Sequence, residues 1–392
     1  MNFEYFIPTR IIFGVGKLNE LAKVKLPGKK ALIVISSGPS MKKYGYLDRV
    51  AALLKENNVE NVVFDKILAN PIKSHVTEGA ELARQENCDF VIGLGGGSSI
   101  DSAKSIAVMA KNPGDYWDYI HGGSGKGKTV ENGALPIVAI TTTAGTGTEA
   151  DPWTVITKEE TNEKIGFGNS DTFPTLSIVD PELMLSVPPK LTAYQGFDAL
   201  FHATEGYIAS IASPVSDIYA LKSIELLSKY LPVAVNEGSN IDAREKVALA
   251  NTLSGFVEST SSCTSAHSME HALSAFYPDM PHGAGLAILS EAYYSFFADK
   301  VPDRFINMAR AMGEDVDSLP AADKPKAFIT ALRKLRKNCG VDGIKMADYG
   351  IQRDEMAKFA QNAKDTMGGL FRMDRYELSF DDIVKIYENA YV

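Results

Sequence analysis

Cysteine is scarce in this chain, three in 392 residues, and tryptophan scarcer, with two. Cys88, Cys263 and Cys339 stand far apart and form neither a CxxC metal knuckle nor a disulfide framework, so a reducing, cytoplasmic setting is expected. No run of about 18 apolar residues is available to span a bilayer. The opening MNFEYFIPTR carries Glu4 and lacks a continuous apolar stretch, which argues against a secretory signal. Positive charge is also short: 40 Lys and Arg against 49 Asp and Glu leave a net charge of -9, which disfavours nucleic acid and anionic membrane as partners. Internal repeats and low-complexity tracts are missing too. What is present, 45% hydrophobic and 23% charged residues, is ordinary for a soluble globular protein, and 392 residues suffice for two domains.

The two halves follow different patterns. In the first, Ala31–Ile35, Val62–Phe64, Phe90–Leu94 and Leu135–Ile140 read as strands, with helical spacing over 46–57, 74–86 and 99–111. Residues 3–13 read as an extra strand or hairpin. Continuous apolar strands alternating with helices predict an α/β domain with a parallel sheet covered on both faces. From about residue 190 the strand signal vanishes. Residues 191–211, 214–230, 242–260, 265–277, 284–298, 302–312, 325–338, 353–362 and 379–390 all read as helices. Pro188-Pro189 marks the seam, dividing an α/β domain at 1–187 from an all-α domain at 188–392. Asp242-Ala-Arg-Glu245 resembles a capping box.

Four of the six histidines fall in the helical half. Asp198 and His202 are spaced i, i+4, which puts both on one helix face. His267, His271 and His282 follow. Three imidazoles and a carboxylate make a divalent transition-metal site, although any single histidine here could equally be an ordinary core or surface residue. In the other half, Leu94-Gly-Gly-Gly-Ser-Ser-Ile-Asp-Ser-Ala-Lys104 follows a strand and opens a helix. Helix N-terminal amides attract phosphate and glycine permits close approach, so this loop predicts phosphate binding. Thr141–Glu149 is a second loop after a strand, with hydroxyl donors. Two further matches point elsewhere. Gly122–Thr129 satisfies GxxxxGK[ST] but lacks the strand before and the helix after, so it reads as a flexible loop. His267-Ser-Met-Glu270-His271 matches the HxxEH of some zinc peptidases, a reading that leaves the α/β half without a role.

Taken together, GGGSSIDSAK at 95–104, TTAGTGTE at 142–149, GFDALFHATEGY at 196–207 and HSMEHALSAFYPDMPHG at 267–283 resemble the iron-containing (group III) alcohol dehydrogenases over essentially the whole chain. The resemblance implies a dinucleotide-binding domain followed by a helical metal-binding domain, usually in homodimers or larger homo-oligomers. It implies metal ligands at Asp198, His202, His267 and His282, with His271 beside the nicotinamide as candidate proton relay. It also implies pyrophosphate contacts at Gly96, Gly97, Ser98 and Asp101, nicotinamide-side contacts at Thr142, Thr143 and Thr146, and further cofactor contacts at Asn70 and Lys164. Asp151 departs from the threonine common at its position and is not assigned.

The end of the first long strand, Ile35-Ser36-Ser37-Gly38-Pro39-Ser40, carries no acid to bind a ribose 2′-hydroxyl, and Lys42 and Lys43 follow. The segment resembles that of NADP-preferring butanol dehydrogenases, so Ser36, Ser37, Gly38 and Ser40 are expected to favour NADP(H) over NAD(H). The metal is expected to be iron(II), with zinc as the alternative. The reaction expected is hydride transfer between the cofactor and a small primary alcohol or aldehyde, with Trp153, Phe256, Cys263 and Phe276 as candidate pocket residues. A glycerol dehydrogenase or a dehydroquinate-synthase-like lyase is the alternative within the same superfamily. An ATPase built on Gly122–Thr129, a metallopeptidase and a noncatalytic nucleotide sensor are the more distant ones.

Overall fold

The computed structural model describes residues 3–391. Its contacts divide the described residues into two units, one of residues 7–186 and one of 187–391 together with 3–6.

In the first unit the apolar runs form strands β1 (Arg10–Phe13), β2 (Lys30–Ser36), β3 (Glu60–Ile67), β4 (Phe90–Gly95), β5 (Ile137–Thr141) and β8 (Leu176–Val179). They make a six-stranded sheet in the order β1-β8-β5-β4-β2-β3 with every neighbouring pair parallel. Successive strand side chains point to opposite faces. Since Ala31 to Ile35 and Phe90 to Leu94 are buried without a break, the sheet is covered on both faces, which is why these strands are apolar throughout rather than alternating. Helices α1 (Ser40–Lys43), α2 (Tyr46–Glu56), α3 (Lys73–Gln85) and α4 (Gly97–Lys111) lie between strands. The chain leaves β2 for β3 on one side and returns to β4 on the other. The carboxyl ends of β2 and β4 therefore flank the switch point at which open α/β sheets bind ligands.

Several elements differ from expectation. Only the last four residues of 3–13 are strand, and residues 3–6 group with the helical unit. An antiparallel hairpin, β6 (Thr154–Lys158) and β7 (Glu163–Phe167), lies outside the main sheet. Its charged residues masked the strand signal, and β8 is only four residues long. Gly122–Thr129 is a loop, but a pinned one: Ser124 donates to both oxygens of Glu163, and Lys126 and Lys128 pair with Asp118.

The second unit is helical: α5 (Pro189–Ile208), α6 (Pro214–Asn236), α7 (Ile241–Thr260), α8 (Ser265–Phe276), α9 (His282–Ala298), α10 (Pro302–Ala311), α11 (Ala327–Asn338), α12 (Met356–Phe371) and α13 (Phe380–Ala390). α6 runs through Pro232 to Asn236, past the residue-230 limit that a proline imposes on a sequence reading. α7 is capped not by Asp242 but by Asn240, whose Oδ1 accepts the Ala243 N–H at 3.1 Å. α5 is buried on all sides from Gly196 to Ile208 and packs against α6, α7 and α9. Among the described residues, no helix is long and apolar enough to cross a membrane.

Candidate active site

The first unit gathers the expected cofactor residues at the carboxyl ends of its strands. Gly96 caps α4 just after β4 and Gly97 and Ser98 start the helix, Thr142, Thr143 and Thr146 follow β5, and Ser36 ends β2 with Ser37 to Ser40 after it. The two loops are in direct contact. The Thr142 N–H donates to the Gly95 carbonyl at 2.9 Å, and a Cβ on Gly97 would lie 2.3 Å from Thr146 Cγ2. Gly97 is thus required by packing as well as by access to the α4 amides. Ser98 Oγ donates to the Ala69 carbonyl at 2.5 Å, and Lys164 Nζ to Asn70 Oδ1 at 3.1 Å. Loop, neighbouring strand end and hairpin therefore converge from distant sequence.

Asp101 behaves differently from its neighbours. Its Oδ1 accepts from Thr148 Oγ1 at 2.7 Å and its Oδ2 from the Val155 N–H at 3.0 Å, so both oxygens are engaged inside the protein. Beside it is Lys104, fully buried, donating to Thr148 Oγ1, Trp153 O, and both Asp151 O and Oδ1 at 2.6–3.2 Å. Burial pushes the Asp101 carboxyl up, and Lys104 and Thr148 pull it partway back, to about 6. Lys104, Asp101 and Asp151 tie α4 to the loop after β5 and to β6. Asp151, unassigned from sequence, is the lysine's counter-ion.

Around the expected 2′-phosphate position, the Ser37 N–H donates to the Ile67 carbonyl at 2.8 Å, while Ser37 and Gly38 are exposed. Of the two lysines there, Lys42 is paired with Asp65 at 2.5 Å, an acid on β3 that the local sequence does not reveal. Lys43 lies over the Tyr44 ring.

In the helical unit, Asp198 and His202 share one face of α5, as their spacing requires. The Nε2 atoms of His202, His267 and His282 stand 3.6, 3.6 and 3.3 Å from Asp198 Oδ1. His267 comes from the first turn of α8 and His282 is the first residue of α9. α9 reaches α5 because Gly283 has no side chain: a Cβ there would sit 2.0 Å from the Tyr194 carbonyl oxygen. Each imidazole turns its other nitrogen to a glutamate. His267 Nδ1 bonds Glu205 Oε1 at 2.5 Å, His282 Nδ1 bonds Glu270 Oε2, and His202 Nδ1 faces Glu258 Oε1 at 3.2 Å. Glu205 also accepts the Thr264 and His267 N–H groups at the start of α8, so one carboxylate fixes both the ring and the helix that carries it.

The carboxylates bonded to Nδ1 of His267 and His282 favour the tautomer with Nδ1 protonated and the Nε2 lone pair turned toward Asp198, while Glu258 stands 3.2 Å from His202 Nδ1 at ion-pair distance. Four buried carboxylates meet three imidazoles, an excess of negative charge that a divalent cation would offset. Asp198 Oδ1 and His267 Nε2 are buried and make no hydrogen bond. Each such atom ordinarily costs about 1–3 kcal/mol, and a cation at their meeting point removes both deficits. The residues fit a three-nitrogen, one-oxygen metal site.

His271, one turn after His267, points its Nδ1 at Met367 Sδ at 2.9 Å rather than at a glutamate. The glutamate of the HxxEH match serves His282 instead, which removes the peptidase geometry. Phe256 packs on Tyr219, and Phe276 lies against Phe359 and under Lys358. The sequence marks neither Glu205 nor Glu258 as a site residue, and it offers Glu270 only through the HxxEH match. Glu205 had a signal, two turns after Asp198 on the same face of α5, whereas Glu258 is brought in only by the packing of α7 on α5.

Comparison with known proteins gives the family. The family model described as iron-containing alcohol dehydrogenase matches residues 8–181, and that for the Fe-containing alcohol dehydrogenase family, C-terminal, matches 192–391. The chain belongs to the iron-containing alcohol dehydrogenase family, and its activity is that of an alcohol dehydrogenase or aldehyde reductase using iron and a nicotinamide cofactor. It is 37% identical to a 1,3-propanediol dehydrogenase of Citrobacter freundii over 88% of this chain and 90% of the relative. It is 34% identical to an NAD-dependent methanol dehydrogenase of Bacillus methanolicus over 99% of both. The crystal structure of an archaeal halo-thermophilic alcohol dehydrogenase from a Red Sea brine pool matches with a TM-score of 0.93 and 34% identity, covering 100% of this chain and 99% of that one.

Proposed function

We propose that Asp198, His202, His267 and His282 hold one catalytic iron(II), with zinc as the alternative, and that the substrate is a small primary alcohol or its aldehyde. The observation that carries this reading is the convergence of three glutamate-backed imidazoles on one buried carboxylate. Substrates in the names of relatives, propanediol and methanol, fit the same size class. Bound there, the ion supplies Lewis acidity toward the substrate oxygen, and the nicotinamide supplies the hydride acceptor or donor. The chain's residues do the rest. Asp198 offsets part of the cation's charge, and Glu205, Glu258 and Glu270 keep the three Nε2 lone pairs aimed inward. Gly96, Gly97 and Ser98 present the α4 amides to the cofactor phosphates, and Thr142, Thr143, Thr146, Asn70 and Lys164 line the same end of the sheet. Asp101 holds this loop in shape through Thr148 and Val155. A cytoplasmic homodimer or larger homo-oligomer completes this reading.

His271 is the proton relay in this account. Its ring lies 5.2 Å from that of His282, its Nδ1 meets the Met367 thioether at 2.9 Å, and an imidazole is the side chain suited to proton transfer near neutral pH. His271→Ala is expected to flatten one limb of the pH profile of kcat. An unchanged profile removes this role.

NADP(H) is the favoured cofactor. No acid stands at 36–40 to repel a 2′-phosphate, Ser36, Ser37 and Ser40 offer hydroxyls, and Lys42 follows two residues after Ser40. The Lys42–Asp65 pair is exposed, and such pairs are worth about 0–1 kcal/mol, so a dianionic phosphate can displace Asp65. A panel of short primary alcohols and aldehydes, run with each cofactor after metal reconstitution, tests both parts. The expected result is a higher kcat/KM for NADPH than for NADH with an aldehyde of a few carbons. A clear NADH advantage overturns the preference, and no turnover with any panel member overturns the substrate class.

A further inference from the structure

One thiol, that of Cys263, stands beside the metal ligands, although the sequence offers it only as a candidate pocket residue. The segment between α7 and α8 carries Cys263 past His202 and His267, whose rings stack at 4.5 Å with an interplanar angle of 15°. Cys263 Sγ and one ring nitrogen from each of these histidines lie within 4.8 Å of one another. One ion with bonds of about 2.0–2.3 Å reaches all three after a small side-chain adjustment. His267 Nε2, buried and without a hydrogen bond, is the second sign that this group is built for a ligand. Glu258, which faces His202 Nδ1, also lies 3.9 Å from Cys263 Sγ through its other oxygen.

We infer that Cys263 is a further metal ligand of this chain, giving the centre a sulfur-bearing set, His202–Cys263–His267, that shares two imidazoles with the oxygen-bearing set of Asp198 and His282. The inference rests on the metal-centre reading above. Softness decides between the sets. Iron(II) and manganese(II) are served by Asp198, whereas zinc, cobalt and cadmium draw in the thiolate. On coordination the metal–sulfur bond forms and the S–H bond breaks. The proton passes to Glu258 or water, and no oxidation state changes.

Cobalt(II) added to the metal-free full-length protein and followed by absorbance tests this. The wild type is expected to show visible d–d bands together with a near-ultraviolet sulfur-to-cobalt charge-transfer band at one equivalent. Cys263→Ser should keep the d–d bands, lose the charge-transfer band, and bind zinc at least about tenfold more weakly while manganese binding is unchanged. Serine variants of Cys88 and Cys339, both buried elsewhere, should keep the band. A charge-transfer band that survives Cys263→Ser, or d–d bands without one in the wild type, overturns the inference but leaves the metal centre standing. Absence of cobalt binding altogether overturns both.

Discussion

Asp198→Asn is expected to lower alcohol-dependent reduction of the cofactor by about 10³-fold or more. The substitution keeps the shape of the side chain and removes the charge on which three Nε2 atoms converge. Lewis-acid stabilisation is worth several kcal/mol, taken here as about 4, and each 1.36 kcal/mol is tenfold in rate. A glutamate behind a ligand should behave differently. Glu270→Gln leaves the four ligands in place but weakens the orientation of His282, which ordinarily costs about 10–100-fold in metal affinity. Activity of Glu270→Gln should therefore recover in excess metal, and that of Asp198→Asn should not. If Asp198→Asn retains its metal and falls less than tenfold, Asp198 is not the ligand argued here.

Lys104→Met should destabilise the α/β unit by about 3–5 kcal/mol, because it leaves two buried carboxylates without their cation while nearly preserving volume. Asp101 already has a folded pKa of about 6, above its ordinary 3.8, through burial. An acid with a raised folded pKa binds more protons folded than unfolded between those two values, so its contribution to stability falls as pH rises through that window. Removing Lys104 raises the folded pKa further, and Asp151 moves in the same direction. The loss of Tm relative to wild type should then be larger at pH 8 than at pH 5. Thermal unfolding of both proteins at the two pH values decides it, and an equal or negligible deficit would show that the lysine's charge is not what holds these loops.

Much of the site can be read from the sequence where the signal is local. Asp198 and His202 declare themselves by helical spacing, and the glycine loop by its place between a strand and a helix. Strands buried on both faces are visible as unbroken apolar runs. What escapes depends on packing. Glu258 stands 56 positions from His202 in the chain and meets it only because α7 lies on α5. Asp65 and Lys42 meet only through the pairing of β2 with β3, so a lysine that looked free is engaged. Asp151, set aside because it departs from the common residue, is the partner of a buried lysine that no local pattern exposes. Asp101 sits in the phosphate-loop motif, yet its oxygens face inward because Thr148 and the Val155 amide arrive from another loop and strand. β6 and β7 pair with each other outside the main sheet, so they carry charge where the central strands cannot.

The central claim is that three imidazoles and Asp198 hold a single divalent ion. Diffraction at the iron absorption edge from crystals of the iron-reconstituted protein measures this directly. The account predicts one anomalous peak per chain, within about 2.0–2.2 Å of an Asp198 carboxylate oxygen and of the Nε2 atoms of His202, His267 and His282. A peak that includes His271 in place of one of these, or one bound away from Asp198, would contradict it.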